Sequence, residues 1–217
     1  MPDASPDPEI PRGRDKDRTR RAILDAALAE FADKGLAGAR VDEIAARTAT
    51  TKRMIYYYFG SKEGLYAAVL EEQYGRISDA EQALSLDALP PAAALCALVE
   101  ATFDCHAAHP EFVRLVATEN IHQARHLRAA PAIAERNAAV IRTLRDLLAR
   151  GAAAGDFRAG VDPLDLHMLI SGFCFYRVSN RHTLTAIFGR DLGAAASIAA
   201  QKAMLVEAVL GWVSRGR

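Results

Sequence analysis

An all-α fold is predicted for this 217-residue chain by three features of its sequence. Apolar residues recur at three- and four-residue spacing, Gly, Pro and Asp punctuate them as helix starts and stops do, and no run combines β-branched alternation with hairpin turns. A hydrophobic fraction of 51% with 25% charged residues is enough to bury a sizeable core in one large or two unequal domains.

Taken in order, Ile23, Ala27 and Phe31, flanked by Leu24 and Leu28, describe a first helix of about four turns from Asp17, ended by Gly35. Val41, Ile44 and Ala45 mark a short second helix, Ala49 to Thr51 a break, and Lys52 to Phe59 a third. Ser61 is a good N-cap for a fourth, which carries Leu65, Val69 and Leu70 and fades near Gly75 to Ser78. Pro90 and Pro91 open a helix to about His109, Pro110 one through Ile121, and Pro131 one ending near Gly151 to Gly155. Asp162, Pro163 and Asp165 read as N-cap, first residue and acidic first turn of a helix running through Leu169, Phe173 and Tyr176 to about Arg181. A last, Ala-rich helix spans about Gly193 to Val213.

The formal net charge is zero but unevenly spread. Between Arg12 and Lys62 twelve Lys/Arg face seven Asp/Glu, a local excess of five positive charges that the remainder offsets. Cys96, Cys105 and Cys174 form no CxxC pair and stand in apolar helical stretches, where reduced thiols behave as small buried hydrophobes. The Pro-rich start, MPDASPDPEIPRGRD, has no signal-peptide run, and no later stretch reaches an uninterrupted membrane span, so a cytoplasmic protein without a membrane partner is expected, with residues 1–14 a disordered tail.

On a helical wheel for Lys52 to Phe59, Ile55 and Phe59 share one face with Tyr58 at its margin, while Arg53 and Tyr57 point the other way. That is the division a DNA-reading helix needs: apolar anchors on one side, cationic and hydrogen-bonding groups toward bases and phosphates on the other. Lys52, Arg53, Tyr56 and Tyr57 supply those groups. Arg53 suits the bidentate contact to guanine, tyrosine hydroxyls can donate to phosphate oxygens, and Lys62 stands in the first turn of the next helix, where backbone N–H groups also favour phosphate. The alternative is a buried aromatic stripe beside a solvated basic face.

Phe31-Ala32-Asp33-Lys34-Gly35, Asp42-Glu43-Ile44-Ala45 and above all Ile55-Tyr56-Tyr57-Tyr58-Phe59-Gly60-Ser61-Lys62-Glu63-Gly64-Leu65 all fall within Thr19 to Leu70. That stretch resembles the N-terminal domain of TetR-family transcriptional regulators. The resemblance implies a helix-turn-helix at 40–59 inside a DNA-binding domain at 15–62, followed by a helical ligand-binding and dimerisation domain at 63–217. It carries DNA contacts to Arg40, Thr51, Lys52, Arg53, Tyr56, Tyr57 and Lys62, and implies a homodimeric repressor released from a palindromic operator by a small-molecule effector. The sequence departs from the family pattern at Ala49 and Thr50, in place of a glycine and an aliphatic residue, and at Arg53, where a small residue is usual. A left-handed Ala49 would cost about 1 kcal/mol.

In the C-terminal part Phe103, His106, Phe112, Glu119, Asn120, His122, Phe173, Tyr176 and Arg177 mix aromatic walls with polar groups as effector pockets do, and Arg177 on an apolar helix would suit an anionic group. Glu119, His122 and His126 form E-x-x-H-x-x-x-H, three possible metal ligands along one side of a helix. With no cysteine or second paired motif to reinforce them, no metal and no cofactor is expected. No G-x-S-x-G, P-loop, dinucleotide glycine motif or H-E-x-x-H occurs, so no enzyme activity is expected either. The last two long helices are apolar on more than one face, with Ala195, Ala196, Ala199, Ala200 and Ala203 permitting close approach, and are the expected dimer interface.

Overall fold

The computed structural model describes residues 13–214. They form α1 (Gly13–Gly38), α2 (Val41–Arg47), α3 (Lys52–Phe59), α4 (Lys62–Gln82), α5 (Pro91–Ala108), α6 (Pro110–Ile121), α7 (Pro131–Ala154), α8 (Pro163–Ser179), α9 (Arg181–Phe188) and α10 (Ala195–Val213), with single 3-10 turns at Leu86–Ala88 and Leu127–Ala129. No strand occurs among the described residues beyond one isolated bridge between Phe157 and Ser214. The tail expected over 1–14 lies outside the described residues except for Gly13 and Arg14, which already belong to α1.

The chain divides into two compact units, residues 1–69 and 70–217. In the first, Ile23, Leu24, Ala27 and Phe31 of α1 are buried together with Ile44, Ile55, Leu65 and Tyr66, and the Phe31 and Tyr66 rings meet edge to face at 5.1 Å. Gly35 does break α1, at φ 64°, but one more turn follows to Gly38. A buried carboxylate then fixes α2. Glu30, 1% exposed, accepts from Lys34 Nζ at 2.8 Å and from the Arg40 backbone N–H at 3.1 Å, and pairs with Arg47 Nη2 at 3.3 Å. One group of α1 thereby grips α2 at its N-cap and at its last residue. Burial pushes the Glu30 carboxyl upward, but the Lys34 bond, the Arg40 N–H and the Lys34 and Arg47 charges outweigh it and hold it below the ordinary value of 4.5.

In the second unit Leu95, Val99 and Phe103 of α5, Leu144, Leu147 and Leu148 of α7, Leu166, Ile170 and Cys174 of α8, and Leu205, Val209 and Val213 of α10 share one core. Asp162 caps α8 as expected, accepting from the Leu164 and Asp165 N–H groups at 2.7 and 3.2 Å. The structure departs from the sequence reading in four places. First, α4 continues to Gln82, because Gly75 and Ser78 are tolerated inside a helix that buries Gln73 and Ser78. Second, α8 stops at Ser179, and α9 is a separate helix with no buried residue, whose apolar Leu184, Ile187 and Phe188 the sequence reading assigns to no helix. Third, only Cys174 is buried, whereas Cys96 and Cys105 are half-buried. Finally, α10 is long and apolar enough to cross a membrane by length and composition, contrary to the expectation for this chain. It nevertheless carries Lys202 and Glu207 and buries Leu205, Val209 and Val213 in the core of its own unit.

Candidate functional site

The turn from α2 to α3 is built by backbone and hydroxyl bonds. Thr48 Oγ1 donates to the Ile44 carbonyl at 2.9 Å, the Thr50 N–H to the Ala45 carbonyl at 3.4 Å, and Ala49 adopts φ 50°. The left-handed conformation anticipated for Ala49 is therefore present, with its cost of about 1 kcal/mol. Thr51 caps α3, its hydroxyl accepting from the Met54 N–H at 3.2 Å. At the other end Gly60, φ 74°, ends the helix in a region that a side chain would strain, and a Cβ on Gly64 would strike the Phe59 carbonyl. Ser61 then starts α4 by accepting from the Gly64 N–H at 3.0 Å.

With both ends fixed, α3 presents two different faces. Ile55 is fully buried, Tyr58 and Phe59 are half-buried, and Arg53, Tyr56 and Tyr57 are exposed, Tyr57 by 58%. Cations of α1 stand over two of the rings, Lys16 Nζ at 5.8 Å from the Tyr57 centroid and the Arg20 guanidinium at 5.5 Å from that of Phe59. Lys52 pairs with Asp42 at 3.2 Å across the turn, which orients its ammonium at the start of α3. Lys62 Nζ donates to the Ala37 carbonyl at 3.3 Å, and the Arg40 side chain is exposed at the start of α2. The aromatic run is thus split between core and surface, and its exposed members stand beside Arg53. Such a surface can do the work of groove recognition: a guanidinium for base edges, phenols and ammonium groups for phosphates.

The second unit contains a cavity of about 620 Å³ lined by residues of α4 through α8. His106, Phe112 and Asn120, three of the nine anticipated pocket residues, line it. Phe173, Tyr176 and Arg177 line a separate hollow of about 290 Å³ instead, because they face α9 and α10. Arg177 Nε donates to Gln201 Oε1 at 2.9 Å and its guanidinium lies 4.2 Å from the Phe103 centroid, while its buried Nη1 has no hydrogen-bond partner among the described residues. The anticipated grouping is thereby corrected in one respect: Arg177 does not line the same cavity as His106, Phe112 and Asn120. Phe103 is fully buried core. His122 is exposed beyond the end of α6, and Glu119 is buried but turned to its own loop.

The same loop undoes the helical E-x-x-H-x-x-x-H arrangement. The α6 helix ends at Ile121, Gln123 and Ala124 follow in left-handed conformation, and Glu119 accepts from the His126 N–H at 3.1 Å and from its Nδ1 at 2.8 Å. Tyr74, Ser78, Asn137, His167 and Ser171 also line the cavity and were not anticipated. The available signal was confined to His167 and Ser171, polar residues within the apolar run of α8, since Tyr74, Ser78 and Asn137 stand among other polar residues. It is weak, since such residues are as often surface.

Comparison with known proteins decides the family. A model described as "Tetracyclin repressor-like, C-terminal domain" matches residues 91–209, and one described as "Bacterial regulatory proteins, tetR family" matches residues 23–69. The chain belongs to the TetR family. Among curated TetR-family relatives, the HTH-type transcriptional repressor NicS of Pseudomonas putida is 39% identical over 181 residues, 83% of this chain and 85% of that protein. The HTH-type transcriptional repressor SCO4008 of Streptomyces coelicolor is 40% identical over 108 residues, 50% of this chain and 53% of that protein. Among solved structures, that of SCO4942 from Streptomyces coelicolor superposes with a TM-score of 0.69 at 32% identity, over 91% of this chain and 99% of that one. Membership makes this TetR-family chain a DNA-binding regulator of transcription with a helix-turn-helix, in a family that carries no indication of enzyme activity.

Proposed function

We propose that the protein is a homodimeric repressor, acting in the cytoplasm, that reads a palindromic operator with α3 and leaves it when a small uncharged effector occupies the α4–α8 cavity. One observation carries the reading. The helix that holds its domain together through Ile55 turns Arg53, Tyr56 and Tyr57 outward, within a stretch from Arg12 to Lys62 that carries an excess of five positive charges. In this reading Arg53 and Tyr57 reach into the groove, Tyr56, Thr51 and Lys52 meet its rim, and Arg40 and Lys62 bind phosphates on either side. Residues 15–62 serve as the DNA-binding domain and 63–217 as the effector and dimerisation domain. The names of NicS and SCO4008, both called repressors, support repression over activation.

The dimer rests on the surface of the last helices. Leu164, Met168, Leu169 and Tyr176 on α8 and Met204 and Trp212 on α10 are exposed, beside exposed Ala195, Ala196, Ala199, Ala200 and Ala203. That is more apolar surface than a monomeric helix pair retains in water, and small residues allow close helix approach. Two-fold symmetry in the protein then calls for two-fold symmetry in the operator. DNA and effector need not touch, since coupling requires only that each prefer a different conformation of the dimer. Selection from a pool of random duplexes tests the reading: a single inverted-repeat sequence should be enriched, and a pool that stays random after repeated rounds contradicts it.

A further inference from the structure

The polar groups around the cavity share one local device. His106 Nδ1 lies 2.9 Å from the Thr102 carbonyl, Asn120 Nδ2 donates to the Val116 carbonyl at 2.9 Å, and Asn137 Nδ2 to the Ile133 carbonyl at 2.8 Å. Each side chain is tied to the carbonyl one turn back on its own helix. A carbonyl oxygen only accepts, so these bonds fix the orientation of both amides and the tautomer of the imidazole: Nδ1 carries the hydrogen and Nε2 the lone pair. Among the described residues no protein donor meets Nε2.

The rest of the lining leaves that lone pair unopposed. The residues around the cavity include no Lys, Arg, Asp or Glu. Burial lowers the pKa of His106 and of His167, with nearby His167, Arg177 and His109 acting in the same direction on His106 against its Thr102 bond, so both rings are neutral near pH 7. The Tyr74 phenol, pushed up to about 12 by burial and by Glu119, stays protonated. Its ring meets Phe112 edge to face at 5.1 Å, and Phe112 in turn meets His106 at 6.0 Å. Aromatic walls thus surround a fixed acceptor in a lining that also holds Asn120 and Asn137. A carboxylate placed here would meet hydroxyl donors such as Tyr74 and Ser171 but no lining cation to offset its desolvation.

We infer that the cavity selects an uncharged aromatic molecule bearing a phenolic O–H or ring N–H, which it donates to His106 Nε2. This rests on the proposal that the cavity is the effector site. The selectivity comes from the asymmetry of hydrogen bonding: a ligand of the right shape without the donor leaves a buried acceptor unpaired.

Three probes of one ring system test the inference on the full-length protein at pH 7.5 by calorimetry: 2-naphthol, 2-methoxynaphthalene and 2-naphthoate. The expected order is 2-naphthol at least about ten-fold tighter than either of the others, one hydrogen bond's worth of discrimination. In His106→Phe the advantage of the naphthol over its methyl ether should vanish while the ether still binds. The wild-type order stands as a test even if that variant does not fold. Equal binding of naphthol and ether, or tightest binding of the naphthoate, overturns the inference. Failure of all three to bind overturns both it and the effector-site reading. Binding in the expected order without any change in affinity for the selected operator leaves the cavity's chemistry as inferred and removes its regulatory role.

Discussion

Helices α3 and α8 are both half-buried, yet their exposed halves are chemically opposite. On α3 the outward groups are a guanidinium and phenols beside ammonium groups, whereas on α8 they are Leu164, Met168, Leu169 and Tyr176. The first surface is stable in water and becomes more useful against a polyanion; the second is unfavourable in water and becomes stable when another apolar surface covers it. The nature of the exposed half, more than the amount of it, therefore tells which class of partner each helix meets.

The largest expected effect lies on the apolar side. Met204→Glu puts a charge into the α8/α10 surface, where Met204 is 51% exposed, and two-fold symmetry would bring two such charges together. Dimerisation should weaken by roughly 2–4 kcal/mol, converting dimer to monomer in sedimentation velocity at micromolar concentration. A variant that sediments like the wild type would mean that the apolar face has another use.

The two units should also respond to acid at different points. His106 and His167 have folded-state pKa values below 6.5, so the unfolded chain takes up protons there that the folded one does not. Stability of the second unit is full above about pH 6.5 and declines as pH falls below it. Glu30 behaves differently: its lowered pKa contributes stability above 4.5 that is lost only as pH falls through its folded value. Trp212, the chain's single tryptophan, reports the second unit by fluorescence, and amide exchange in α1 to α3 reports the first. Between pH 7.5 and 5.5 the Trp212 transition should move and the α1–α3 protection should not. Glu30→Ala should lower the stability of the first unit by roughly 2–3 kcal/mol at pH 7, less than a fully enclosed ion pair would cost because Lys34 and Arg47 remain partly in water.

The smallest effect sharpens the account of the turn. Ala49→Gly relieves φ 50° at the cost of added freedom in the unfolded chain, for a net gain of roughly 0.5–1 kcal/mol in urea denaturation. A loss on that substitution would show that the Ala49 methyl packs usefully.

Periodicity revealed the first unit almost residue by residue, because short helices on a small core leave each apolar position one role. Lys52 to Phe59 came out with its bounds intact, and Ser61 and Asp162 cap the helices they were expected to cap. The grip of Glu30 on Arg40 and Arg47 was not legible, since it joins residues ten and seventeen apart and nothing in the local pattern marks a charged residue of α1 as buried. In the second unit the failure is of another kind. Helical spacing tells which residues face inward on each helix, but whether an inward residue meets core or cavity depends on which helices meet, and for that reason Arg177 lines the smaller hollow while His167, not anticipated, lines the larger cavity. The α9 helix was missed because it is only eight residues long and follows α8 after Asn180 alone, with no proline or side-chain cap to mark a new start.

The central claim is that α3 reads sequence with its exposed face. It is tested most directly by measuring the affinity of the wild type and of Arg53→Ala/Tyr57→Ala for the selected duplex and for an unrelated one of equal length. The account predicts that the double variant, still folded and dimeric, loses about 1–3 kcal/mol per lost base contact on the selected duplex and far less on the unrelated one. Equal affinity of variant and wild type for the selected duplex would contradict it.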